Sequence, residues 1–413
     1  KVKYALAYRK TVMGDDFASC RLIFAESDGL PAVIVDSFGG VLSLQCLCLG
    51  MEKYKDAICD ALMDELHPVG IYERGDVPVR TLEGLPLTCG VLRGEVPDKV
   101  ESVVCVGVGA LRYTCYMGAA DLVAGVEDHE VTRGIDRLYN YVNHEKFKDL
   151  PVTGTNGVPY AEEIIAVAPQ VIVMSKSANA DADELQAQTG TPVVVIPGSD
   201  TTLDDNAYET IRILGQLYGM ESRATELTNY LKGIQKDLDD RTKDIPDSEK
   251  PSVYVAGVSF RGLHGFEGTE AGYGPFELIH ANNLANTTGQ SGAFDIDLEQ
   301  VLSWDPDILF LDFNGMDLIN ESFAQNPDYY NALTAVQNGK VFSQISFRSY
   351  ASNLDTALAD AYYAACIMYP EQFKDVDPVA KAGEIFEKLL GSNPYEDLKE
   401  AGYEFRPIKI GEE

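Results

Sequence analysis

Positive charge is what this chain has least of. Against 65 aspartates and glutamates stand 33 lysines and arginines, a formal net charge of −32 over 413 residues. Neutralising nucleic-acid phosphates needs a cationic surface, so no nucleic acid is expected as a partner, and anionic lipid is repelled for the same reason. Solubility remains, as does attraction of a cationic partner or ligand. Histidine is scarce as well. Its five positions (67, 129, 144, 264 and 280) form no HExxH pair, and no G-x-S-x-G elbow occurs. Carboxylates are so abundant that chance pairs carry no information. No catalytic residue and no enzyme are expected.

Long hydrophobic runs are missing too: none approaches the roughly 18 residues of a membrane span. The basic residues between Lys1 and Lys10 are followed by no apolar core of the kind an export signal carries. The chain opens on Lys1 rather than Met, as a processed or trimmed product would. Cysteine pairs are also lacking. The eight cysteines (20, 46, 48, 59, 89, 105, 115 and 366) include no CxxC. Cys46 and Cys48 alternate in an apolar run, which predicts one strand face for both. Buried free thiols are expected rather than disulfides or a metal site.

What is present reads as globular. The apolar fraction is 45% and the charged fraction 24%, and the length suits two or three domains. Residues 1–98 alternate strand patterns (CRLIFAES, AVIVDSF, VLSLQCLCL, GIYER) with one helix over 53–66. The turns Asp28-Gly29-Leu30-Pro31 and Phe38-Gly39-Gly40 separate them, which predicts a small α+β domain. From residue 99 the rhythm becomes strand–helix alternation. SVVCVGV, LVAGVE, QVIVMS and PVVVIPG mark a first α/β lobe over 99–203. A helical stretch from 204 to 245, broken near Gly219, carries Ile211, Leu214, Leu217, Leu227 and Leu231 at helical spacing. A second α/β lobe over 246–413 follows, with strands at PSVYVAGV, ILFLDF and KVFSQI. The two lobes share a repeat: AEEIIAVAPQVIV at 161–173 aligns with LEQVLSWDPDILF at 298–310. Each is a short helix that a proline stops and that feeds a buried strand.

These stretches carry a family likeness. VVCVGVGALRYTCYMGAADLVAGVED, the paired glutamate-bearing repeats, the long helix and PSVYVAGVSFRGLHGFEGTEAGYGPFELIHANNLA resemble class III periplasmic binding proteins. That group serves ABC importers of iron-siderophore, haem and cobalamin. The resemblance covers roughly three quarters of the chain. It implies two Rossmann-like lobes joined by one long α-helix, and a monomer that works in the periplasm or anchored to the cell surface. The ligand would be a small-molecule chelate such as a ferric siderophore, with no cofactor, and the partner an ABC permease. In that family one glutamate per lobe meets arginines of the permease, which points to Glu162 and Glu299 here, with Glu163 a near alternative to the first. A helix-terminal role favouring the dipole is the alternative for both.

RLIFAESDGLPAVIVDSFGGVLSLQ and GIYERGDVPVRTLEGL resemble something else, the middle domain of class I SAM-dependent rRNA methyltransferases. The chain thus resembles a fusion. A methyltransferase-related role for the whole has one handhold: Val106-Gly107-Val108-Gly109 after a strand, with Glu127 and Asp128 ending the next. Arg112 and Tyr113, where small residues usually let the helix approach, and the negative charge count against it.

Ligands of open α/β sheets sit beyond the carboxyl ends of the strands. The loops that follow the predicted strands carry Arg112, Arg261 and Arg348, whose forked donors suit carboxylate, catecholate or hydroxamate oxygens. A salt bridge with one of the many acids is the alternative for each. His264 lies in a glycine-rich loop and is a candidate ligand or metal contact, with a structural role as the alternative, and Tyr160, Tyr273 and Tyr350 are stacking candidates. No compact metal-ligand cluster emerges from the spacing, so a metal would arrive already wrapped in a chelator. An oxyanion such as molybdate stays possible.

Overall fold

A computed structural model describes residues 1–13, 19–38, 40–96, 100–198 and 202–412. The expected turn residue Gly39 and the expected boundary at 98/99 lie outside the described residues. The chain forms two compact units. One is Lys1–Ser102 with Ala168–Ile172 and Ala182–Val194; the other is Val103–Val167, Val173–Asp181 and Val195–Glu413.

In the first unit β1 (Ser19–Phe24), β2 (Val33–Phe38), β3 (Val41–Cys46), β4 (Gly70–Gly75) and β5 (Thr88–Gly94) form one sheet in chain order. The β3–β4 pair is parallel and the others antiparallel. Alternation turns Val33, Val35, Leu42, Leu44 and Cys46 inward. There they meet Ile58, Cys59 and Leu62 of the helix Lys55–Leu66, which makes the crossover a parallel pair requires. The N-terminal helix Val2–Met13, which the sequence reading did not anticipate, adds Val2, Ala5 and Leu6 to this core. All eight cysteines are free thiols. Cys46, Cys59, Cys105 and Cys115 are buried, but Cys89 is exposed on β5, and Cys48 lies past the end of β3.

A charge cluster built on a buried arginine lies at the edge of this core. The Arg80 side chain is wholly buried, donates to the carbonyls of Cys46 and Pro86, and pairs with Glu52 at 3.1 Å and Glu73 at 3.5 Å. Lys55 binds the same two carboxylates at 2.6 and 2.8 Å. Two cations and two anions thus balance around the buried Arg80 and Glu73, where an unpaired charge would cost several kcal/mol.

The strands from β6 on form two larger sheets whose order is that of parallel α/β folds. The first uses β6 (Val103–Val106), β7 (Val123–Glu127), β8 (Val152–Thr155), β9 (Val158–Pro159), β10 (Val171–Ser175) and β11 (Val193–Ile196), in the order β11-β10-β6-β7-β8-β9. The second uses β12 (Ser252–Ala256), β14 (Asn282–Asn283), β16 (Ile308–Asp312) and β17 (Val341–Gln344), all parallel, in the order β14-β12-β16-β17. Between β12 and β16 the chain inserts a small antiparallel pair, β13 (Gly268–Ala271) with β15 (Gly292–Asp295). β12 and β16 are buried along almost their whole length, as strands covered on both faces must be.

The helical stretch between the sheets is split as the glycine foretold. Asp205–Tyr218 ends on Gly219 at φ 63°, and Glu221–Thr242 then runs 22 residues, about 33 Å at 1.5 Å per residue. Its Leu227, Leu231, Ile234 and Leu238 recur at four- and three-residue steps and are buried. The sequence repeat is a structural repeat. Helix Ala161–Val167 leads to β10 and helix Leu298–Trp304 leads to β16. Each helix stops at a left-handed residue just before its proline: Ala168 at φ 52°, Asp305 at φ 45°. Proline bars its predecessor from the right-handed helical region, which ends both helices at the same place.

Replacing Arg80 by Ala leaves Glu52 and Glu73 with Lys55 alone. The expected loss is about 3–5 kcal/mol, confined to the first unit. Hydrogen exchange of the β3–β5 amides in the full chain checks it, with protection in β12 and β16 unchanged.

Candidate functional site

Loops after strands of both lobes of the second unit enclose a cavity of about 850 Å³. Ser259–Leu263 follow β12, Asn314 follows β16, and Arg348–Ala351 follow β17; Asp136 comes from the first lobe. Of the candidate ligand contacts, Arg261, Arg348 and Tyr350 are brought together here. Arg112, Tyr160, His264 and Tyr273 are not among the lining residues.

The two cavity arginines differ in kind. Arg348 makes a two-pronged pair with the buried Glu270 of β13, Nε to Oε2 at 3.1 Å and Nη2 to Oε1, and a third bond to Ser352 Oγ at 2.9 Å. Burial pushes the Glu270 carboxyl up, and Arg348 opposes this. Arg261 sits at the tip of its loop at φ 52°, beside Gly262 at φ 142°, and is exposed. Among the described residues it has no ion pair and no side-chain hydrogen bond. Ser259 Oγ, on the same loop, is buried without a partner. The site therefore offers one free guanidinium and one free hydroxyl, with Phe260, Leu263 and Ala351 as apolar wall.

Arg112 has a different task from the ligand contact expected of it. It is 2% exposed, and its donors reach Asn353 Oδ1 at 2.9 Å and the carbonyls of Ser352 at 2.7 Å, Ser349 at 3.4 Å and Tyr350. The Tyr139 ring lies 5.2 Å from the guanidinium. Around it Tyr350 Oη donates to Glu127, Ser349 Oγ to Asp136, and Leu354 N–H to Tyr116 Oη at 3.1 Å. One lobe thus clasps the segment that forms the cavity wall of the other. Tyr350 and Ala351, at φ 50° and 63°, hold left-handed conformations that cost of order 1–3 kcal/mol each and persist only where neighbours enforce them.

Tyr273, expected at a pocket rim, is instead core. It is 0% exposed and packed edge-on against Phe276 and Phe347, because Gly274 starts a helix rather than an open loop. Tyr160 is partly exposed ahead of the helix Ala161–Val167, away from the cavity. His264 stands behind the Arg261 loop, its ring stacked on Phe260 at 3.8 Å. The glycine turn at Gly107 is filled by protein. Glu127 accepts from Gly107 N at 3.2 Å and Gly157 N at 2.8 Å, while its other oxygen takes Tyr350. The space left there is about 10 Å³, too little for a nucleotide.

The family model described as periplasmic binding protein matches residues 114–344, more than half of the chain. The chain belongs to this family. Among solved structures, the molybdate-bound periplasmic binding protein MolA of Haemophilus influenzae superposes with a TM-score of 0.56 at 19% identity, over 72% of this chain and 95% of that one. The periplasmic haem-binding protein HutB of Vibrio cholerae superposes with a TM-score of 0.50 at 16% identity, over 65% and 100%. At these identities the likeness is one of fold. The N-terminal segment matches a different protein, ribosomal RNA large subunit methyltransferase I of Vibrio parahaemolyticus, 48% identical over 85 residues, 21% of either chain. The chain spans about a fifth of the length of the curated relatives it matches, so this periplasmic binding protein carries a methyltransferase-related segment fused ahead of it.

Behind the cavity of the binding protein lie two buried acids that sequence reasoning missed. Burial pushes the Asp312 carboxyl up to about 7, although Ser346 Oγ–H and Asn314 N–H both donate to Oδ1. Burial lifts Asp360 well above the usual range, and the two carboxylates repel each other. One oxygen of each has no hydrogen-bond partner. Hydrophobic periodicity hid Asp360, which lies within the almost wholly buried helix Leu354–Met368.

A carboxyl raised in the folded state contributes stability that is fully present below its unfolded value, near 3.8, and is lost as pH rises through about 7. Asp312→Asn, which keeps the acceptor oxygen, is expected to flatten urea-denaturation stability between pH 4 and 8. It should exceed the parent at pH 8 by on the order of 2–4 kcal/mol, at about 1.4 kcal/mol per pH unit.

Proposed function

We propose that this periplasmic binding protein works outside the cytoplasmic membrane, captures an anionic metal chelate of the ferric-siderophore type between its lobes, and delivers it to an ABC permease. One observation carries the reading: the interlobe cavity of about 850 Å³ in which Arg261 is free while its neighbour Arg348 is neutralised by Glu270. A cavity of that size is in the range of small organic ligands. The guanidinium supplies planar, charge-assisted donors for carboxylate or catecholate oxygens, and Phe260, Leu263 and Ala351 supply surface for an organic frame. Among the described residues the cavity lining has no histidine or cysteine, so the metal keeps the ligands it arrives with. A bare oxyanion such as the molybdate of MolA fits less well, because among the described lining residues the unspent side-chain donors are few: Arg261, the Ser259 hydroxyl and the Asn314 amide.

The clasp at Arg112 and the 22-residue helix support a mostly preformed cleft with modest closure. Glu162 and Glu299 occupy equivalent exposed places on the two repeat helices, and neither makes an ion pair among the described residues. Two separated anions on a firm body suit orientation against a cationic permease surface more than raw affinity. The methyltransferase-related segment favours a second reading, an RNA-modification role that uses S-adenosylmethionine.

Fluorescence titration of the full chain with ferric siderophores, haem, cobalamin, molybdate and S-adenosylmethionine tests the first reading. Saturable binding of an iron chelate is expected, weakened at least tenfold by Arg261→Ala, since a hydrogen bond to a charged group is worth about 1.5–3 kcal/mol. Binding of molybdate alone, or of S-adenosylmethionine alone, overturns it. Replacing both Glu162 and Glu299 by Arg is expected to abolish permease-coupled uptake in proteoliposomes while leaving chelate affinity intact. Unchanged uptake removes these residues from docking.

A further inference from the structure

Behind the loop that presents Arg261, three side chains from separate segments converge. His264 closes the loop, Glu267 precedes β13, and Asp295 ends β15; one ligand atom from each lies within 4.8 Å of the other two. We propose that His264, Glu267 and Asp295 bind a divalent transition ion of the zinc class that staples the Arg261 loop to β15.

The imidazole carries the argument. Its Nε2 lies 2.8 Å from the Phe260 carbonyl oxygen, an atom that only accepts, so Nε2 holds a hydrogen. Its Nδ1 lies 2.8 Å from Asp295 Oδ1, which as a carboxylate oxygen also only accepts. The bond from Nε2 to Phe260 fixes the ring so that Nδ1 is the nitrogen turned toward Asp295, and Glu267 brings a third donor atom within 4.8 Å of both. Metal-bound histidines ordinarily donate their second ring N–H to a carbonyl or carboxylate, which sets the ring orientation. Phe260 provides that carbonyl, and its ring stacks on the imidazole at an interplanar angle of 7°. One imidazole nitrogen with two carboxylates matches zinc-class preference and offsets the ion's double charge.

The backbone is shaped around this histidine. Gly268 pairs with Asp295 across the β13–β15 ladder, and a Cβ on Gly268 would lie 2.4 Å from His264 Cβ. Any side chain there would displace the imidazole. Gly265 N–H donates to Glu267 Oε1 at 3.0 Å, which leaves Oε2 for the ion. None of the three residues lines the cavity, so the ion would brace the wall rather than travel as cargo. The site stands whether or not the cavity takes an iron chelate.

Calorimetric titration of the full chain with Zn(II), with ¹⁵N NMR of the histidine rings, tests it. The expected result is one Zn(II) per chain with a perturbed Nδ1 signal from His264. His264→Gln and Asp295→Asn should each weaken binding at least tenfold. Glu267→Gln, which keeps the oxygen that Gly265 binds, should also weaken it, and guards against a loop that merely misfolds. His280→Gln is the control: His280 pairs with the half-buried Asp239 at 3.0 Å but joins no three-ligand group among the described residues. Three results overturn the proposal: no Zn(II) binding with a doubly protonated His264, coordination through Nε2, or loss of binding in His280→Gln alone.

Discussion

The buried guanidinium of Arg112 is the constraint on which the rest of the cleft depends. A charge taken out of water is tolerable only where oxygen acceptors replace its hydration. Here three backbone carbonyls and one side-chain amide do so, all from the segment 349–353 of the opposite lobe. The same bonds hold Tyr350 and Ala351 in left-handed conformations that would relax if the lobes parted. The hydrogen bonds between them therefore offset both costs, the burial of the cation and the strain in the loop, and the two are a single arrangement. Loop 348–351, which forms one cavity wall, has its shape because Arg112 is where it is.

Arginine is used in three ways around this cleft, although the chain is poor in it. Arg112 braces the lobes, Arg348 locks β13 to the β17 loop through Glu270, and Arg261 is left over. The leftover is what makes the cavity a site. In a chain with a net charge of −32, a guanidinium without an acid beside it is the exception, and its isolation follows from the loop that lifts it away from the surrounding carboxylates. The buried acids Asp312 and Asp360 lie one layer deeper, tied by Ser346 and Ile345 to the strand end that carries Arg348.

Much of the fold was legible from short-range pattern. The strand–helix rhythm, the break at Gly219, the buried stripe of Leu227 and Leu231, and the paired helix–proline–strand repeats are all set within a few residues, where sterics and amphipathic spacing act. The loops that line the cavity were legible for a similar reason, since they must follow parallel strands. What could not be read was which way their side chains turn. Tyr273 looked like a rim residue because glycines flank it, yet Gly274 serves to start a helix and the ring goes into the core. Arg112 looked like a ligand contact because it follows a strand, yet its partners lie about 240 residues away. The His264, Glu267 and Asp295 cluster was invisible because the antiparallel β13–β15 pair that brings Asp295 across leaves no periodic trace in so short a strand.

By itself the sequence determined the class of the fold, its two-lobed repeat, the scarcity of cations and the few loops on which ligand-contacting cations could sit. Those properties are local or additive: periodicity, turn chemistry and charge are summed along the chain. Only the tertiary structure decided which arginine is free. Whether a donor is spent depends on acceptors contributed by distant segments, and a buried charge selects its partners by geometry that no linear spacing encodes.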